Sequence, residues 1–164
     1  MGILTRVGLV TLAAVVATGA GRQTELDRIV SRVSNRIITA ADVREARLLR
    51  LVADPSSDDS TRKALEDRIL ILADLARLPP LPAIVEADLT ARRAEWESAL
   101  GGGSKAADLL RQTAMSETTL QLWLRDDVRI RLHLERQFGS LPEPDRASAT
   151  AEWISRLRQR AGLK

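Results

Sequence analysis

Between Arg28 and Leu51 the hydrophobic rhythm of the chain switches from a period of two to a helical one with no linker between them (RIVSRVSNRIITAADVREARLLRL). Ile29, Ser31 and Val33 fall on one side of an alternating run, Val30 and Arg32 on the other, which is the pattern of a strand. Ser34 and Asn35 form a turn pair, with Asn able to take the left-handed backbone of a tight hairpin. Arg36 to Ile38 then resumes the strand. Two strands this short are not stable in isolation. They must lie on helices, so the chain is constrained to a helical body carrying a small ribbon.

The remaining sequence supplies the helices. Thr39 is a good N-cap, with Asp42 placed as in a capping box, and opens a helix over 40–53 that presents Val43, Ala46, Leu48 or Leu49, and Val52. The loop DPSSDDS follows, and Ser60 caps a second helix over 61–78. Leu65, Ile69, Leu72, Leu75 and Ala76 share one face there, widened by Ile71 and Leu78, so this helix is central to the core. PPLP at 79–82 ends it, because proline lacks the amide hydrogen. A third helix spans 84–100, GGGS breaks it, and a short helix over 105–115 follows. Ser116 caps a long fifth helix over 117–138, and after LPEP a last helix covers 146–161 with Trp153, Ile154 and Leu157 on its apolar side.

Composition narrows the chemistry. The 164 residues suffice for one modest domain with a real core, and 45% hydrophobic against 29% charged residues fits a folded protein. Aromatic residues are only Trp96, Trp123, Trp153 and Phe138, so the core is built from Leu, Ile, Val and Ala. Lys and Arg number 25 against 22 Asp and Glu, interspersed, for a net charge of +3. Nucleic-acid binding would want a basic stripe with stacking aromatics, and neither is present. The absence of cysteine removes disulfides, thiol catalysis and cysteine zinc sites. The single histidine, His133, leaves little general-base or histidine-pair metal chemistry, and its helical phase puts it on a polar, exposed face. The acidic pairs Asp58-Asp59, Glu66-Asp67 and Asp126-Asp127 read as solvated charge, and GGGSK lacks the spacing of a phosphate loop. No enzyme, cofactor or metal is expected.

The first residues read as an address. Arg6 precedes an apolar run from Val7 to about Ala17, then small residues, with cleavage expected after Gly19 or Ala20. Residues 1–20 are therefore expected to be a secretory signal peptide and 21–164 one helical domain. An uncleaved membrane anchor is the second reading, and a buried helix the third. No cysteine follows for lipidation.

LDRIVSRVSNRIITAADVREARLLRL resembles the start of the SurA-like periplasmic chaperones, in which a strand leads through an Asn-containing turn into a second strand, then an I-T-x-x-D/E-(L/V) segment and a helix. Leu26 to Val33, Asn35, Ile37, Ile38, Thr39, Asp42 and Val43 match that pattern. ALEDRILILADLARL is similar to the family's second helix, and MSETTLQLWLRDDVRIRLHLERQF to the long helix closing its N-terminal module. AIVEADLTARRAEW lacks the serine usual in the segment between them. The resemblance covers residues 25–164. It implies a mainly α, multi-helix SurA N-terminal module, similar to the trigger-factor substrate-binding domain, with a short β-hairpin and a docked C-terminal helix. Only Gly139 to Asp145 stands where many relatives carry a parvulin isomerase domain, so isomerase activity is not expected.

The activity implied is ATP-independent holding of unfolded or nascent envelope and outer-membrane proteins in the periplasm, with membrane attachment only if the leader is retained. The alternative is an interaction module for one envelope partner or for self-association. Candidate client-contacting residues are Trp96, Leu120, Trp123, Leu124, Asp127, Arg131 and Glu135. Asp127, Arg131 and Glu135, spaced i, i+4, i+8, could form an acid–base–acid ladder. That ladder reads as a polar seam in a client groove, or more plainly as the solvent edge of a helix packed on two sides. The tryptophans read most simply as core anchors, Trp96 the least securely.

Overall fold

The computed structural model describes residues 27–79 and 83–163. The expected leader at 1–20 and the prolines of PPLP beyond Pro79 lie outside those residues. Two strands, β1 (Ile29–Val33) and β2 (Arg36–Thr39), precede six helices among the described residues: α1 (Ala40–Leu48), α2 (Asp58–Leu75), α3 (Glu86–Ala99), α4 (Gly103–Arg111), α5 (Glu117–Phe138) and α6 (Asp145–Arg160). The fold is mainly α with one small antiparallel hairpin, and α6 docks on α2 and α5.

The ribbon pairs Ser31 with Ile38, Arg32 with Ile37 and Val33 with Arg36, and a bulge between Ile29 and Ser31 brings Ile29 opposite Thr39. Val33 and Ile38 are buried against the helices, whereas Ile29 and Ile37 face outward. This is the alternation that lets a marginal ribbon lie on α2. The left-handed turn residue is Ser34, with φ 54°, rather than the expected Asn35.

β2 runs directly into α1 because Thr39 serves both. Its extended backbone ends the strand, and its hydroxyl accepts from the Asp42 amide at 3.2 Å. The Asp42 carboxylate in turn accepts from the Thr39 amide at 2.8 Å. This reciprocal box satisfies two orphan donors of the first turn. Thr39→Ala is expected to destabilise the fold by about 1 kcal/mol, read as a lower urea midpoint with unchanged slope.

α1 stops five residues before the expected end at Ala53. Arg50 adopts φ 46°, and the Leu51 amide donates back to the Ala46 carbonyl at 2.9 Å. The reversal lets Leu49 and Leu51 both enter the core, and the Arg50 guanidinium fixes it by donating to the Ala99 carbonyl at 2.9 Å. No glycine announces this stop, so periodicity ran through it.

The N-cap of α2 is Ser57, not Ser60. Ser60 is the third helical residue and closes the box from inside, accepting from the Ser57 amide at 3.1 Å. α2 touches the ribbon, α1, α5 and α6, and consecutive Leu70 and Ile71 are both buried, as a helix covered on several sides requires. Ile69 and Leu72 are half-buried, whereas Ala76 and Leu78, expected in the face, are exposed. Between α3 and α4, Gly101 and Gly102 take φ of 92° and 110°, values that side-chain-bearing residues rarely adopt.

Ser116 caps α5 as expected, accepting from the Thr119 amide at 3.1 Å. One core joins the ribbon, α1, α2 and α4 to Trp96 and Leu100 of α3, Leu120, Leu124 and Phe138 of α5, and Trp153 and Leu157 of α6. His133 corrects the sequence reading. It is 3% exposed, because α6 covers the side of α5 that looks polar in the isolated helix.

Candidate functional site

An open groove of about 950 Å³ runs across the described residues. α2 and α5 form its floor. One wall is the first half of α6, and the other is α3 with the segment that follows α1. Ile71, Ile130 and Leu134 give the floor apolar character, Ile154 adds to it from the α6 wall, and the small Ala147 and Ala151 keep that wall low. A second cleft of about 480 Å³ lies between the ribbon, α1, α2 and α5, with Leu65, Ile69, Leu72 and Trp123 in its lining.

The rim of the large groove is charged, and its charges are mutually neutralised. Asp127 sits between two arginines: it pairs with Arg68 of α2 and accepts from Arg92 of α3 at 2.7 Å. Arg68 lies over the Trp123 ring with its guanidinium carbon 4.0 Å from the centroid, and donates to the Trp123 carbonyl at 2.8 Å. Arg131 grips Glu95 through two bonds, at 3.1 and 2.7 Å. That guanidinium holds the Glu95 carboxyl below the ordinary range, burial opposing it only in part. Glu135 pairs with Arg146 of α6 at 3.2 Å.

Asp127, Arg131 and Glu135 do share the groove, but not as a ladder. Each reaches off its own helix, Asp127 to α2 and α3, Arg131 to α3, and Glu135 to α6. A one-helix ladder of exposed charges is worth little, whereas partners on neighbouring helices place the same charges where packing already holds the backbones. Trp123 belongs to the second cleft, half-buried. Trp96, Leu120 and Leu124 are core residues. They support α3 and α5 from within, and Leu124 also borders a cleft beside Leu89 and Leu122.

Sequence reasoning missed Ala147 and Ala151, whose i, i+4 spacing in DRASATAEW was a readable signal of a shallow helix face. Ile130, Leu134 and Ile154 were not among the candidate residues either, although each is half-buried and lines the groove. Among the described residues no three His, Asp or Glu side chains converge as a metal site, and none of the described helices is long and apolar enough to cross a membrane. The groove offers apolar area and a hydrogen-bonded charged border. No protein-family model matches the chain, and no curated protein or solved structure is significantly similar to it.

Proposed function

We propose that this chain is a non-enzymatic holding chaperone of the cell envelope, a helical module of the SurA N-terminal type without a parvulin domain. The observation that carries the reading is the groove, with apolar side chains along its floor and a rim whose arginines and carboxylates are mostly paired. A ligand need supply no particular charge to enter it. Apolar side chains of an extended segment gain burial on Ile71, Ile130, Leu134 and Ile154, while the paired rim penalises no sequence strongly. Such contacts are weak and sequence-tolerant, as holding of unfolded chains requires. The export expectation from residues 1–20 and the resemblance of the hairpin, second helix and long helix support the same reading. Clients would be unfolded or nascent envelope proteins.

The alternative, a module for one dedicated partner or for self-association, draws on one separate observation. Leu122 of α5 and Val85 just before α3 are 57% and 55% exposed, outside the large groove, and Leu122 lines a cleft with Leu89.

The test is suppression of aggregation of several unrelated unfolded proteins by the full chain. Wild type is expected to act on all of them. Ala151→Trp, at an exposed position on the groove wall, is expected to weaken client binding about tenfold, or ~1.4 kcal/mol, with the melting temperature held within a few degrees. Ala151→Ser is expected to behave as wild type. Suppression of no client, together with a concentration-dependent mass or one stable complex, gives the alternative.

A further inference from the structure

His133 is the single histidine of the chain and its least expected buried group. The imidazole is enclosed between α5 and α6, its ring centroid 5.3 Å from that of Trp153. Phe138 lies against the other part of the same indole, 6.3 Å away. No well-formed hydrogen bond reaches either ring nitrogen, although the Gln137 side chain one turn on is near enough to favour the charged form. A neutral ring tolerates this pocket as an apolar plate with one unsatisfied donor. An imidazolium would bring two donors and a full charge into it, and a tilted contact with the indole returns less than the hydration lost.

The charges that reach the ring are few. Arg136 on its own helix opposes protonation, and Asp74 of α2 favours it, but Asp74 is already engaged by Arg160 of α6 at 3.3 Å. Glu152 and Arg156, which flank Trp153 on α6, are exposed and pair with each other at 3.4 Å. Burial outweighs the Gln137 side chain and Asp74, and the ring's pKa lies below the usual imidazole value.

We infer that the His133–Trp153 contact is an acid-released latch: protonation of His133 loosens the middle turns of α6 and with them the groove wall formed by Ala147, Ala151 and Ile154. The far end of α6 stays tied, since Arg158 donates to Asp67 at 2.6 Å and to Glu66 at 3.1 Å. Arg146 pairs with Glu135 at the start of the helix, so the loosening is centred on the turns between these two ties, which border the groove. The consequence for clients rests on the holding function proposed above; the latch itself does not.

The direction with pH follows from which state binds the proton. Above the free imidazole value of about 6.5 neither the docked nor the loosened state is protonated, and α6 docks fully. As pH falls below it, the loosened state takes the proton first and docking weakens. The loss is complete once the pH passes the lower value of the docked ring.

The experiment is hydrogen exchange of the untagged full chain from pH 7.5 to 5, corrected for intrinsic rates, with the His133 ring followed by NMR. Wild type is expected to show a several-fold rise in α6 exchange below pH 6.5 and a ring titrating below a free histidine. His133→Leu and His133→Gln, two variants in case one folds poorly, are expected to show no such rise. A ring that titrates at or above the free value overturns the latch. So does α6 exchange that rises equally in both variants, which would show that the response does not come from His133. A fluorescent client peptide read over the same range separates the two ideas. A His133-dependent rise in α6 exchange without client binding at any pH upholds the latch and overturns the holding function.

Discussion

Glu66→Ala is expected to destabilise the protein by about 3 kcal/mol, a large share of the ~5–15 kcal/mol that holds an ordinary domain. Glu66 is 2% exposed and joins three elements. The Ser31 hydroxyl of β1 donates to it at 2.6 Å, Arg62 of α2 at 2.5 Å, and Arg158 of α6 at 3.1 Å. Removing a buried acid normally strands its cations at a cost of ~3–5 kcal/mol. The lower figure applies because Arg62 keeps Asp59 at 2.5 Å and Arg158 keeps Asp67 at 2.6 Å. Glu66→Gln retains acceptors for Ser31 and one arginine, and about 1–2 kcal/mol is expected. Urea denaturation of both variants beside wild type checks the order.

The same carboxyl sets an acid limb. Burial would raise its pKa, but the Ser31 hydroxyl with Arg62 and Arg158 outweighs burial and holds it below the ordinary glutamate value. The folded state thus binds fewer protons than the unfolded one. The contribution is complete above the unfolded value and is lost as pH falls through the lower folded value. The advantage of wild type over Glu66→Gln is therefore expected to shrink only below about pH 4.5. An unchanged gap at pH 3 would show that the charge contributes nothing.

Glu66 also shows where sequence reasoning stops. Beside Asp67 on a helix it reads as solvated charge, and what makes it otherwise is Arg158, 92 residues away. Signals carried within a few residues were legible: the ribbon, the Thr39 capping box, the Ser116 cap and α5 from Glu117 to Phe138. Boundaries that depend on tertiary contacts were not. α1 ends where it does because Arg50 finds the Ala99 carbonyl, and no local residue type marks that. The site was half legible for the same reason. Asp127, Arg131 and Glu135 share one helix face, which periodicity exposes, whereas their partners come from three other helices. His133 looked exposed because helical phase locates a side chain relative to its own helix, and α6 supplies the second surface.

Trp96→Ala is expected to have the largest effect of all, about 3–5 kcal/mol, enough to leave a marginal domain partly unfolded at room temperature. The side chain is 1% exposed and closes the seam between α1 and α3. Its indole N–H donates to the Leu49 carbonyl at 2.8 Å, one of the orphan acceptors at the end of α1. Arg93 lies over the ring, its guanidinium carbon 5.6 Å from the centroid, and the neighbouring tie from Arg50 to Ala99 closes the same seam. Alanine here removes the ring, opens a cavity too large for small shifts to fill, and leaves the Leu49 carbonyl without its donor. Trp96→Phe separates the two contributions. It keeps most of the apolar contact and loses the N–H, so about 1–3 kcal/mol is expected from the unsatisfied acceptor and the imperfect fit. Thermal and urea unfolding of the pair measure both. If alanine costs less than about 1 kcal/mol, as surface truncations do, Trp96 is not the pin between α1 and α3, and its place among client-contacting residues reopens. If phenylalanine costs as much as alanine, the hydrogen bond to Leu49 rather than ring volume fixes the end of α1.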